Sequence, residues 1–117
     1  MSSMVNEKAL YEMLEGDQEL LEDMLGSFNE EKDQYLKQMQ EGVATSNAEL
    51  IRTSAHTLKG ALQAFCCDEA AETAKTIEHQ GSENNLDQIE PLVDRFVQEV
   101  NQAHAELTAL CERGFSS

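Results

Sequence analysis

The sequence has no tryptophan, a single proline and three cysteines, and its 8 Lys and Arg face 23 Asp and Glu, a formal charge of −15. Each shortage excludes something. With aromatics at 5%, the core must be built from Leu, Ala, Ile, Val and Met, which suits helices better than sheets. An acid excess of this size repels phosphate backbones and anionic headgroups, which argues against nucleic acid and membrane surfaces as partners. No uncharged stretch approaches the roughly 20 apolar residues that span a bilayer. Met1 to Lys8 shows no basic region followed by an apolar run, so no secretory signal is read. Cys66 and Cys67 are adjacent and the third cysteine has no fourth, so a disulfide framework is excluded and a reducing cytoplasm is expected. There remain 117 residues, 40% apolar, enough for one domain over residues 1–117 that needs no metal or disulfide for stability.

Apolar residues recur at helical spacing throughout, and no useful stretch alternates with period two. A short helix is expected over Asn6 to Glu15, capped by Asn6, with Ala9, Leu10, Met13 and Leu14 on one face. A long amphipathic helix follows from an Asp17 cap to Glu41, through Leu20, Leu21, Met24, Leu25, Phe28, Tyr35, Leu36 and Met39. Ser46-Asn47-Ala48-Glu49 has the form of a capping box and opens a third helix carrying Leu50, Ile51, Ala55, Leu58, Leu62 and Phe65. A fourth runs from Glu69 to Gln80 with Ala70, Ala71, Ala74 and Ile77 inward. The fifth starts between Asn85 and Glu90, accepts Pro91 in its first turn, and shows Leu92, Val93, Phe96, Val97, Val100, Ala103, Leu107 and Leu110. Gly16, Gly42, Gly81 and Gly114 each follow a periodic segment and are read as helix ends, whereas Gly26 is read as a packing concession within a helix. The expected fold is all-α: an antiparallel four-helix bundle with a short extra N-terminal helix.

One stretch is chemically unusual. Acidic residues make up about a fifth of the chain, yet none lies between Leu50 and Cys67. On a helical wheel, Ile51, Ala55, Leu58, Leu62 and Phe65 fall within roughly 40° of one another's mean. Beside that core stripe lies a second one of Arg52, His56, Lys59, Gly60 and Gln63. Like charge from Arg52 and Lys59 would disfavour protonation of the imidazole and keep it nucleophilic, and the same cations would stabilise a dianionic group on it. Gly60, which costs about 1 kcal/mol of helix stability relative to Ala, removes a side chain beside the ring. A lone surface histidine is ordinarily inert; the conjunction of His56, Lys59 and Gly60 in an acid-free segment describes a histidine that holds a phosphoryl group.

The segment Ala55-His56-Thr57-Leu58-Lys59-Gly60-Ala61 resembles the AHxLKGS/A signature of histidine-containing phosphotransfer domains of multistep two-component phosphorelays. Leu14-Glu15-Gly16-Asp17, Leu20-Leu21 and Phe28 upstream, and Ile77-Glu78 downstream, extend the resemblance over almost the whole chain. It implies a four-helix bundle in which His56 accepts a phosphoryl group from a receiver-domain aspartyl phosphate and passes it to another receiver. It also implies that Lys59 neutralises phosphate oxygens, that Gly60 leaves room for the receiver's loops, and that Glu78 holds the Nδ1 proton so that Nε2 is the nucleophile. Arg52 and Gln63 are candidate phosphate or partner contacts. The sequence departs from the family at Ala61, where Ser is frequent, and at Cys66 and Cys67, where Gly-Ala is usual, which puts the turn after the third helix in question.

The implied partners are receiver domains of a hybrid histidine kinase and of response regulators, met by a monomer through Leu62, Ala64 and the first two helices. No Gly-rich nucleotide loop is present, so the expected role is a carrier without autonomous kinase activity, and Mg²⁺ would come with the receiver rather than as a cofactor of this chain. With neither a kinase nor a receiver segment in the sequence, a free-standing shuttle is expected. A bundle metal site is disfavoured because Thr53, Thr76 and Asn101 stand three residues before His56, His79 and His104, where di-iron bundles place Glu. The competing class is an acidic helical adaptor or chaperone without phosphotransfer chemistry, which acidity and helix content alone would permit.

Overall fold

The computed structural model describes residues 3–115, in five helices: α1 (Glu7–Leu14), α2 (Gln18–Thr45), α3 (Ala48–Ala64), α4 (Asp68–Ser82) and α5 (Ile89–Arg113). At ~1.5 Å per residue, the 28 residues of α2 account for most of the molecule's 44 Å long axis. Only Ser46 and Asn47 separate α2 from α3, and only Phe65, Cys66 and Cys67 separate α3 from α4, so successive helices reverse direction. In the ring, α2 packs on α3, α3 on α4, α4 on α5, and α5 back on α2, while α1 lies against α2. This is the antiparallel four-helix bundle with a short N-terminal helix that the sequence predicts.

The apolar stripes meet in one core, with Leu21, Met39, Ile51, Leu58, Leu62, Ile77, Phe96, Val100 and Leu107 all closed to solvent. Four stripe members do not join it. Met13 and Leu20 are exposed, and Ala9 and Leu50 are half-buried outside the core.

The ends differ from expectation in instructive ways. The long helix continues past Glu41 to Thr45, and Ser46 closes it in the left-handed conformation (φ 55°). The capping box assigned from Ser46 is therefore displaced by one residue: Asn47 Oδ1 accepts from the Leu50 N–H at 3.1 Å and caps α3. Both cysteines take part in closing the α3–α4 turn. Cys66 takes the left-handed conformation (φ 58°), where Gly would be relaxed, and the Cys67 N–H donates back to the Leu62 carbonyl at 2.9 Å.

Gly16 and Gly114 have positive φ, as their reading as helix ends requires, but Gly42 and Gly81 lie inside α2 and α4. Their reason is close approach. A Cβ on Gly42 would stand 2.7 Å from Ile51 Cγ1, and one on Gly81 would stand 3.1 Å from the Ala48 carbonyl and from Arg52. Gly26, by contrast, faces open space, so it is no packing concession. Gly42→Ala is expected to destabilise by about 1–2 kcal/mol through overpacking against Ile51. Gly26→Ala should instead stabilise by somewhat under 1 kcal/mol through helix propensity. Urea midpoints of the two variants, moving in opposite directions, check the assignment.

The N-terminal segment is tied down by Glu106 on α5, whose two carboxylate oxygens accept from the Met4 and Val5 N–H groups, each at 3.0 Å. The Asn6 N–H reaches the Cys66 carbonyl. Burial raises the Glu106 carboxyl, but the Met4 and Val5 N–H groups and the Gln102 amide outweigh it and hold the group below its ordinary value. A carboxyl depressed by folding contributes stability above its unfolded pKa, near ~4.3, and that contribution is lost as pH falls through the lower folded value. Glu106→Gln should therefore flatten the acid limb of the stability profile below about pH 4.3, measured as urea midpoint against pH.

Candidate functional site

α3 and α4 pack against each other along their length, and their shared outer edge carries His56, Lys59 and Glu78. Helical spacing sets the first two on one flank of α3, beside the buried positions Ala55 and Leu58. Glu78 follows buried Ile77 on α4 and so stands at the edge of that helix's core face. His56 Nδ1 lies 2.8 Å from Glu78 Oε2, and Lys59 Nζ donates to Glu78 Oε1 at 2.7 Å. A carboxylate can only accept, so Nδ1 carries the hydrogen, and in the neutral ring Nε2 keeps its lone pair. The His56 side chain is 64% exposed, whereas Lys59 and Glu78 are about one-fifth exposed. Lys59 first, and His56 after it, hold the Glu78 carboxyl below its usual range against the opposing effect of burial. The carboxylate is the fixed, partly covered member of the group, and the imidazole is the member offered to solvent.

One turn on from His56, Gly60 is exposed with nothing within 4 Å of where a Cβ would be. A shallow apolar groove runs alongside between α2 and α3, lined by Met24, Ser27, Phe28, Ala61, Ala64 and Phe65.

Several expectations need correction. Arg52 is engaged by Glu49, which takes its Nε at 3.1 Å and its Nη2 at 2.5 Å, in an exposed pair of the weakly held kind. With Lys59 on Glu78, both cations of the acid-free segment are paired with carboxylates, Glu49 supplied from the first turn of α3 and Glu78 from α4. The bare positive stripe read from the sequence is thus replaced by a mixed array. Gln63 is exposed, and its side chain has no hydrogen-bond partner among the described residues. Leu62 is fully buried and belongs to the core, so no partner can reach it, while half-buried Ala64 lines the groove.

Glu49 was missed, although its place three residues before Arg52 was a visible ion-pair spacing. The groove residues of α2 were missed as well, since no linear pattern marks them.

The remaining reactive groups take other places. His79 pairs with Glu83 at 3.2 Å, and His104 on α5 is hydrogen-bonded to Asn29 on α2, its pKa lowered chiefly by burial. Burial pushes the Cys67 thiol up to about 12 and raises Cys66 too, which disfavours the thiolate at both. Among the described residues, no group of three or more His, Cys, Asp or Glu is placed to hold a metal ion. No helix is long and apolar enough to cross a membrane.

No curated protein sequence matches the chain. The crystal structure of histidine-containing phosphotransfer protein B (HptB) from Pseudomonas aeruginosa PAO1 is similar in fold, with a TM-score of 0.86 over 97% of this chain and 98% of that one, at 16% identity. A family model described as the Hpt domain matches residues 23–113, which takes in α3, α4 and the whole His56–Lys59–Glu78 group. The chain belongs to the Hpt family of histidine phosphotransfer domains, whose place is in phosphorelays.

Proposed function

We propose that His56 is the phosphoryl-carrying residue of this Hpt domain, accepting the group from the aspartyl phosphate of one receiver domain and passing it to the aspartate of another. The observation that carries this reading is the Nδ1–Glu78 hydrogen bond, because it fixes the tautomer and turns a nucleophilic Nε2 toward solvent. In acceptance, the Nε2 electron pair forms a bond to phosphorus as the bond from phosphorus to the acyl oxygen breaks, and the receiver regains its carboxylate. Such a transfer needs positioning and charge more than covalent help. Lys59 has the flexible stem to leave Glu78 Oε1 for a phosphoryl oxygen one turn away.

The partners are receiver domains, of a hybrid histidine kinase on one side and of response regulators on the other. Exposed Gly60 and the α2–α3 groove form the surface against which a receiver's loops would seat. The absence of a Gly-rich nucleotide loop from the sequence supports a carrier without kinase activity of its own, with Mg²⁺ supplied by the receiver. A monomer working in the cytoplasm accords with these roles.

Incubation with a phosphorylated receiver should place an acid-labile, alkali-stable label on this chain. Absence of label with a panel of receivers would overturn the reading in favour of an adaptor. Gly60→Ala separates docking from folding. The added methyl meets nothing within 4 Å in the free protein, so the melting temperature should rise, by about 1 kcal/mol of helix propensity. Transfer from the receiver should nonetheless slow, which stopped-time labelling alongside a thermal melt would show.

A further inference from the structure

Glu78 divides its two oxygens between an imidazole and an ammonium, Oε2 accepting from His56 Nδ1–H at 2.8 Å and Oε1 from Lys59 at 2.7 Å. Resting on the reading that His56 carries the phosphoryl group, we propose that Glu78 is a positioning residue whose charge keeps a proton on Nδ1 of the phosphorylated ring, and thereby sets how readily the group is released to the next receiver.

The balance of the step makes the proton matter. A ring phosphorylated on Nε2 and protonated on Nδ1 is a cation. When its P–N bond breaks, the electron pair returns to Nε2 and the phosphoryl group goes to the receiver's carboxylate oxygen. The ring left behind is neutral imidazole with its proton still on Nδ1, and no proton has to move. Without that proton the departing group would be an imidazolate anion, a much poorer leaving group. A carboxylate in direct contact with Nδ1 favours the cationic ring by charge and by hydrogen bond together. In the unphosphorylated protein Lys59, on the other oxygen, keeps Glu78 ionised, in keeping with the lowered Glu78 carboxyl, so the ring meets a carboxylate that is already charged.

The other charges around the ring are few. On α3, Arg52 and Lys59 stand about one turn to either side, each paired with a glutamate. From α4 the ring meets Glu78, while His79 turns to Glu83. α2, on the other flank of α3, puts no ionisable side chain in polar contact with it.

Orientation and charge can be separated at this position. Glu78→Gln keeps an acceptor oxygen for Nδ1–H and removes the charge, whereas Glu78→Ala removes both. The experiment is single-turnover transfer from the His56-phosphorylated chain to a receiver between about pH 6 and about pH 9, with ¹⁵N-histidine NMR of the phosphorylated chain over the same range. An adjacent opposite charge moves a titration by about 1–3 pH units, each worth tenfold. Wild type is therefore expected to hold its transfer rate to a pH at least about one unit higher than Glu78→Gln does. Glu78→Gln should fall by at least about tenfold toward the alkaline end, with Nδ1 of its phosphorylated ring losing its proton at least about one pH unit earlier. Glu78→Ala should show the same alkaline loss on top of a uniform slowing. Superimposable pH profiles and ¹⁵N titrations in wild type and Glu78→Gln, or a uniform slowing alone in both variants, would reduce Glu78 to an orienting contact and overturn the proposal. Failure of the wild type and both variants to take label at His56 would overturn the phosphoryl-carrier reading itself, and this proposal with it.

Discussion

His56→Gln is expected to abolish phosphoryl acceptance while leaving the bundle folded. The side chain is 64% exposed and its one polar partner is Glu78, which keeps its second oxygen on Lys59 in the variant. Exposed substitutions away from caps and buried networks typically move stability by within about 0.5 kcal/mol, so the thermal melt should be nearly superimposable on the parent. Chemistry is lost outright because glutamine has no basic ring nitrogen: its amide can imitate the hydrogen bond to Glu78 but cannot attack phosphorus. Labelling from a phosphorylated receiver, run beside a circular dichroism melt, reads both quantities. Label that persists at the parental level would move the acceptor elsewhere, with exposed His79 the first place to look.

Phe96→Ala is expected to do the reverse. Phe96 is the largest of the fully closed side chains and sits on α5, which packs on α2 and α4 but not on α3. Removing it leaves a cavity in the core, at a cost of about 3–5 kcal/mol. Set against a total stability of order 5–15 kcal/mol for a domain, that is a large share. The urea midpoint should fall accordingly with little change in slope. Transfer per folded molecule, measured cold and without denaturant, should be nearly unchanged, since His56, Lys59 and Glu78 lie on the outer edge of α3 and α4 whereas Phe96 is a core residue of α5. A loss of transfer greater than the loss of folded protein would mean that the core under α5 shapes the site.

The contrast between these variants follows how the chain encodes its structure. Helices and core were legible because burial on one face imposes a period on the sequence: Ile51, Ala55, Leu58 and Leu62 can be placed inward by counting. Glycine was the weak point, since one letter serves two physical ends. At Gly16 it supplies positive φ; at Gly42 it lets Ile51 of the next helix approach, and nothing local distinguishes these uses. Ser46 and Asn47 offered the same ambiguity over a single residue, as both carry a capping oxygen, and the left-handed end of α2 fell on the first.

At the site, His56, Lys59 and Gly60 were legible as a local constellation, while Glu78 was visible only through the family resemblance, because 22 residues separate it from His56. Its double engagement could not be read at all. The same holds for Arg52. A cation on a helix flank looks free in sequence, and whether it faces a ligand or folds back on Glu49 is settled by rotamers and neighbours.

The central claim is that a hydrogen bond to Glu78 commits Nδ1 and leaves Nε2 of His56 to take the phosphoryl group. It is tested most directly by ³¹P–¹⁵N correlation NMR on ¹⁵N-histidine protein phosphorylated by a receiver. The account predicts a single phosphorus coupled to Nε2 of His56. Phosphorus coupled to Nδ1 of that ring, or to a nitrogen of His79 or His104, would contradict it.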